Sequence, residues 1–517
     1  MKKLVSILII ISVLCMGCTG QSRQQQVNQN GAGEAAQEKV LNMAVFWFDS
    51  NLEPTEGWNG WALTRCGIGE NLVQVDENLE FKPVIAASYE QVDELTTIFQ
   101  IRENVTFHNG HVVDAKACKA SIERALDISD RDDVKFPVES ITAEGQTLTI
   151  KTTIPYATLI NNLADPVFVI VDASVADDEQ FKFKPITTGA FKVETFTPSV
   201  GMTLHKHTSH WSGDIGVDVV NVKYIQDAST RTMTLQSGEI DLATQVSPKD
   251  LALFENDDHY VVQKGPNLRV FLLRINMDKP YMKHLAFRQA LCYGIDKATY
   301  ASQIVKGIPA KGPFNDMLPF HVKEDDAYPY NPEKANELLD QLNMVDTDGD
   351  GIREMNGENM ILTYISRSNH GNDANNIGMA MQSQYREIGL GVDIVQVENY
   401  ADIASSGEYD LLWERWTSAP TADPQYFLEA SYKTDSSGNY GHYSNQDLDK
   451  VCLALDKELN KDSRHRLGAE GAKILMDDVA SIFLYYQEGT IVTNKNVGGV
   501  YRFISEVYYI DDRVTME

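Results

Sequence analysis

Basic residues are scarce: the chain has 45 Lys and Arg against 74 Asp and Glu, a formal net charge of −29. That shortage excludes a general nucleic-acid binder, which needs clustered cations to neutralise phosphates, and equally a polybasic membrane-surface protein. Cysteine is also sparse, with six in 517 residues. Past Cys18 they are Cys66, Cys118, Cys292 and Cys452, spaced too widely for any zinc pattern. Three sit among apolar neighbours and read as buried free thiols, although a disulfide stays open. No G-x-S-x-G, H-E-x-x-H or P-loop occurs, so neither a nucleophile elbow, a zinc protease nor a phosphate cradle is indicated. Gly67-Ile68-Gly69 begins like a dinucleotide turn but lacks the third glycine, Leu72 standing there, and reads as close chain packing. No apolar run is long enough to span a bilayer comfortably.

The apolar run Leu4 to Met16, after Lys2 and Lys3, has the parts of a secretory signal. Gly17-Cys18 resembles a bacterial lipoprotein cleavage box, in which the cysteine becomes the lipid-modified (palmitate-bearing) first residue. Cys15 departs from the leucine usual at its position. Residues 18–39 are rich in Gln, Asn, Gly and Ala and read as a flexible tether. At roughly 3.4 Å per residue, about 20 residues reach up to some 70 Å from a membrane.

The ordinary apolar content (43%) and the length imply several packed units. Strands are expected at Leu41–Phe48, Thr96–Arg102, Thr147–Thr153, Leu268–Asn276, Ile361–Ile365, Val392–Val397 and Tyr409–Trp413. Helices are expected at Asp114–Leu126, with Asp114 as N-cap, Leu285–Tyr293 and Asn376–Ile388. Strand, helix and strand at this spacing make a βαβ unit, so the expected class is α/β with two lobes. Ligands bind beyond the carboxyl ends of strands in such sheets, which points to the loop after Trp413.

Aromatic residues and arginine gather there and once more upstream: Trp58, Trp61 and Arg65, then Arg415, Trp416, Asp423 and Tyr426. Aromatic walls with a few fixed polar groups suit a small-ligand pocket; the same residues also suit a core. Asp346, Asp348 and Asp350 ahead of Gly351 match the start of an EF-hand loop, but Gly357 occupies the place of its bidentate acid. Calcium and an acidic surface turn both stand, with Glu354 or Glu358 as substitute ligands. His205, His207 and His210 are either an imidazole cluster or part of a surface turn.

Several motifs in order carry a family resemblance from about residue 40 to 510. They are Phe107-His-Asn-Gly110 with Asp114-Ala115, Thr188-Gly-Ala-Phe191, and Trp211 followed by Leu235-Gln-Ser-Gly-Glu-Ile-Asp241. Phe287-Arg-Gln-Ala-Leu291, Ile295-Asp-Lys297 and Tyr330-Asn-Pro-Glu-Lys-Ala335 follow. The chain resembles the family 5 extracytoplasmic solute-binding proteins of ABC importers, which bind peptides or nickel. The resemblance implies the type II periplasmic-binding-protein fold in its large form. Signal peptide 1–17 and lipidated tether 18–39 would precede lobe 1 at 40–264, with an inserted subdomain at about 70–187. Lobe 2 would span 265–489, and 490–517 would return to lobe 1. It implies a non-catalytic, monomeric receptor that closes on its ligand and serves a permease and its ATPase subunits.

Peptide binders of this family place an acid shortly after the matching tryptophan. Here Trp416-Thr-Ser-Ala-Pro420 has none before Asp423, and this form looks like the nickel branch. That implies a nickel or other metal chelate as ligand, held by Arg65, Arg415 and the aromatics, with His442 as a possible metal ligand or a plain loop residue. A di- or oligopeptide is the alternative, with Asp423 then holding the ammonium.

Overall fold

Alternating apolar residues place a four-stranded antiparallel sheet early in the chain. Thr96–Ile101 lies between Ala86–Gln91 and Thr147–Thr152, and Val138–Glu144 completes it. Helix Ala115–Ile128 turns Cys118, Ile122 and Ala125 toward a core that holds Phe99, Leu148 and Ile150. Asp114 caps it, accepting from the Ala117 amide at 2.9 Å. The computed structural model describes residues 38–48, 50–367, 373–398 and 400–517. The expected signal, Cys18 and the tether as far as residue 37 lie outside them.

Eleven further strands form one mixed sheet, and the rest pair in three two-stranded ribbons. At one end, Val40–Val45 runs parallel to both Val219–Tyr224 and Leu242–Thr244. At the other, Ile361–Arg367 and Gly391–Val397 run parallel, joined by helix Asp373–Glu387, which is the expected βαβ unit. Two long strands, Tyr260–Ile275 and Ser481–Asn494, pair antiparallel and carry the sheet from one half to the other. Their register shifts between Pro266 and Val270, next to the Gly265–Gly489 pair. Each half has its own apolar core, one around Leu41, Phe191 and Val220, the other around Phe287, Tyr364 and Trp413. Residues Lys39–Glu517 form one compact unit.

Two strands run longer than their sequence pattern suggests. The strand expected from Leu268 starts at Tyr260, because Val261–Gly265 finds partners in Gly489–Thr493 despite the Gly265-Pro266 break. The strand expected to end at Trp413 continues to Thr417, so Glu414, Arg415 and Trp416 are strand residues and the loop begins at Ser418. Charged residues inside a strand disguise it, and Glu414 is tolerated because Arg274 on the neighbouring strand pairs with it.

Gly67 has a left-handed backbone (φ +63°), and a Cβ on Gly69 would meet Val169 at 2.4 Å, so this pair serves close packing. Cys66, Cys118, Cys292 and Cys452 are all buried and free. Burial pushes the Cys66, Cys292 and Cys452 thiols up to about 12. Among the described residues, no helix is long and apolar enough to cross a membrane.

Candidate functional site

The upstream aromatic group assembles as one continuous set of contacts. Helix Gly60–Arg65 is buried along its whole length. Trp61 meets Trp58 edge-on at 6.1 Å between ring centroids. The Arg65 guanidinium lies 4.9 Å from the Trp61 ring and 5.1 Å from that of Tyr509. Its Nε donates to the backbone oxygen of Glu506 at 2.9 Å. Trp58 is also covered by Arg131, 4.0 Å from its ring. Arg131 is neutralised by Asp165 (2.9 Å) and Asp133 (2.6 Å).

In the second half, neighbouring residues of strand Leu411–Thr417 point to opposite faces, as a pleated strand requires. Trp413 and Arg415 lie opposite Leu273 and Phe271, on the face where the Phe271 ring stacks on Tyr485 at 4.5 Å. Trp416 packs on the other face against Tyr426 (6.2 Å) and Phe427 (5.9 Å). Burial chiefly raises the Tyr426 hydroxyl, which also lies within electrostatic reach of Arg131, Asp133 and Asp165. A direct bond joins the two sides nearby: Asn161 Nδ2 donates to the Thr421 carbonyl at 2.7 Å.

Arg415 has the most unusual setting. Burial first, then the arginines at 269, 367 and 65 against a single carboxylate, Glu506, push its guanidinium down to about 9. At neutral pH it remains a cation. Among the described residues, no side-chain hydrogen bond or ion pair reaches it. Arg269 is already engaged, with Nε and Nη2 each 3.0 Å from Glu506 Oε2. Gln245 donates to the other oxygen of Glu506. Arg367 lies 4.1 Å from the Tyr400 ring, and its buried Nε has no partner among the described residues.

The other expected site residues lie elsewhere. Asp423 does not face a ligand space: both of its oxygens accept from Arg464 at 2.8 Å, and one also from the Gln425 amide. It holds a loop to a helix. His442, half-exposed and with left-handed backbone (φ +51°), turns its Nδ1 to Asp278 at 2.5 Å. His207 is buried, with its ring 5.1 Å from that of His108 and 6.0 Å from that of His210. Burial pushes His207 down and takes His108 to about 3, so both imidazoles are neutral. His210 instead meets Glu70 at 3.2 Å.

Among the described residues, one set of three acidic, His or Cys side chains converges closely enough to hold a metal ion: Asp346, Asp348 and Glu354, with ligand atoms within 4.8 Å of one another. Glu354 thus takes the place expected for Asp350, whose carboxylate accepts from the Ile352 amide and from Asn359. The Asp346 oxygens accept from the Gly349 and Gly351 amides, as in a plain turn.

Sequence reading missed Arg269, Arg367 and Glu506. Arg367 ends a strand at its carboxyl end, the same rule that singled out Arg415, and could have been found. Glu506 could not: it meets Arg65 across 441 residues of chain.

Comparison with known proteins supplies the context. The profile described as bacterial extracellular solute-binding proteins, family 5 Middle, matches residues 80–439. The nickel-binding protein NikA of Staphylococcus aureus (strain NCTC 8325 / PS 47) is 28% identical over 458 residues, covering 88% of this chain and 90% of the relative. The oligopeptide-binding protein AppA of Bacillus subtilis (strain 168) is 24% identical, covering 96% of this chain and 95% of the relative. A solved structure of NikA from Staphylococcus aureus in complex with Ni(L-His)2 superposes with a TM-score of 0.81 at 26% identity, covering 93% of this chain and all of that one.

Proposed function

The chain belongs to the family 5 bacterial extracellular solute-binding proteins, and on that premise we propose that it captures a small carboxylate-bearing metal chelate, nickel first, and delivers it to an ABC importer. The observation that carries this reading is the half-buried guanidinium of Arg415, which no side-chain hydrogen bond or ion pair reaches among the described residues. A cation partly withdrawn from water without a counter-charge costs stability, unless a ligand supplies the charge. Arg presents a planar fork that suits a carboxylate. Nickel takes imidazole and carboxylate oxygen readily, and a chelate brings such groups with it.

The division of labour follows from the geometry. Arg415 takes a carboxylate from the second lobe. Arg65 and Trp61 stand on the first, and Trp416 and Tyr426 supply an aromatic wall. A ligand that touches both lobes binds the closed arrangement better than the open one and shifts the population toward it. The closed form is then what a permease recognises. The likeness to the Staphylococcus aureus nickel-binding protein supports the choice of metal. In the same reading Cys18 carries a lipid anchor that keeps a monomeric receptor at the outer face of the membrane. Cys18→Ala should release it from the membrane fraction.

A peptide is the second reading, favoured by the likeness to AppA and by one carboxylate. Asp423 is taken up by Arg464 and is not free for a peptide ammonium. Asp373, whose carboxyl is raised by burial despite Lys249 nearby, acts electrostatically on Tyr485 and is the candidate instead.

Melting temperature separates the two readings. A ligand at 100 times its dissociation constant stabilises by about 2.7 kcal/mol. Nickel with L-histidine should raise the melting temperature, nickel alone should do so less, and a pool of di- to oligopeptides should not. A shift with peptides alone would overturn the chelate reading.

A further inference from the structure

Glu506 stands out among the buried groups that the proposed function leaves unused. Its side chain is 4% exposed and its backbone is left-handed (φ +60°), a conformation that disfavours a side chain. Its contacts hold it there from both lobes. Arg65 donates to its carbonyl at 2.9 Å, and Gln245 donates to its carboxylate from the first lobe. Gln245 is itself held by Gln487, at 3.1 Å. Arg269, inside the register shift of strand Tyr260–Ile275, binds the other oxygen of that carboxylate at 3.0 Å. The carboxylate thus pairs with Arg269, while Arg415, within its electrostatic reach, has no side-chain partner among the described residues.

We propose that Glu506 is a resident counter-anion that sets the charge of the ligand this cluster accepts. It neutralises one guanidinium permanently, so the ligand needs one negative charge fewer. Arg269 keeps the carboxylate turned away from Arg415. Glu506 is thus a specificity-determining residue that acts through the arginines. The inference rests on the reading of Arg415 as the ligand's arginine, but it does not depend on nickel.

The test uses inorganic sulfate as a generic dianion, at constant ionic strength set with sodium chloride, and nickel plus L-histidine in parallel. Glu506→Gln keeps the side chain's size and removes the charge; it should bind sulfate at least tenfold more tightly than wild type. Arg269→Gln frees the carboxylate to turn onto Arg415 and should weaken sulfate binding more than tenfold. The double variant Glu506→Gln with Arg269→Gln should return to within threefold of wild type, a rescue that a merely structural glutamate would not produce. The double variant also carries the test if the single Glu506→Gln does not fold. Equal sulfate affinity in wild type and Glu506→Gln, or no recovery in the double variant, overturns the proposal. If the sulfate order holds while nickel with L-histidine binds none of these proteins, Glu506 keeps its role and nickel is the wrong ligand. If nickel with L-histidine binds wild type and sulfate affinity ignores Glu506, the nickel reading stands and this one falls.

Discussion

Two neighbouring residues of one strand, Glu414 and Arg415, face opposite sides of the sheet and contrast a charge paired within the protein with one that no described side chain pairs. On one side, Glu414 meets Arg274 at 2.7 Å, Tyr400 donates to its second oxygen, and Arg274 donates on to the Ser431 carbonyl at 3.0 Å. Burial pulls the Arg274 guanidinium down, but Glu414 beside it carries it above its ordinary value. On the other side, Arg415 is held down to about 9 by burial and by more cations, with no direct side-chain partner among the described residues. The closed network ties strand to strand, while in the proposed function the ligand supplies the counter-charge of the open one. Arg464 with Asp423 and Arg131 with Asp165 repeat the closed type.

The largest effect is expected on the closed side. Glu414→Gln leaves Arg274 buried without a counter-charge and should cost about 3–5 kcal/mol of folding stability, read by urea unfolding. Asp423→Asn should cost a similar amount for the same reason, with Arg464 stranded. A small loss in either case would blur the distinction between the two sides.

Acid offers a second contrast. His108 and His207 are buried neutral, so their folded values lie below the ordinary one near 6.5. The unfolded chain therefore binds more protons as pH falls through about 6.5, and stability should drop from there toward the His108 value of about 3. His108→Gln should flatten the dependence of melting temperature between pH 7 and pH 5; an unchanged slope would assign the acid sensitivity elsewhere.

The smallest effect is expected at Arg415 without ligand. Removing a half-buried cation that no described side chain pairs relieves like-charge repulsion from Arg269, Arg367 and Arg65, so Arg415→Gln should raise the ligand-free stability by about 1 kcal/mol. A loss of several kcal/mol would mean that Arg415 belongs with the closed networks after all.

The strands, the βαβ unit and the aromatic–arginine groups were legible because each depends on local spacing. Trp58, Trp61 and Arg65 lie on or beside one short helix, and Arg415 and Trp416 are neighbours on a strand. What was not legible depends on chain that returns from far away. Asp423 looks free in sequence and is bound to Arg464, 41 residues on. Glu506 shares its surroundings with Arg65 and Arg269 because the chain after Asn494 folds back on the first lobe, where Tyr509 and Ile510 enter the core. The strand was placed too short at Trp413 because its charges obscure the alternation, and those same charges are the ones that matter.

The most direct test is calorimetric titration of wild type and Arg415→Gln with nickel plus L-histidine, alongside their ligand-free melting temperatures. Loss of a charge-assisted contact to the ligand should weaken binding by about 2–3 kcal/mol, roughly 30- to 150-fold, with the melting temperature unchanged or raised. Equal affinity in the two proteins would contradict the account, because the open guanidinium would then have no ligand to answer it.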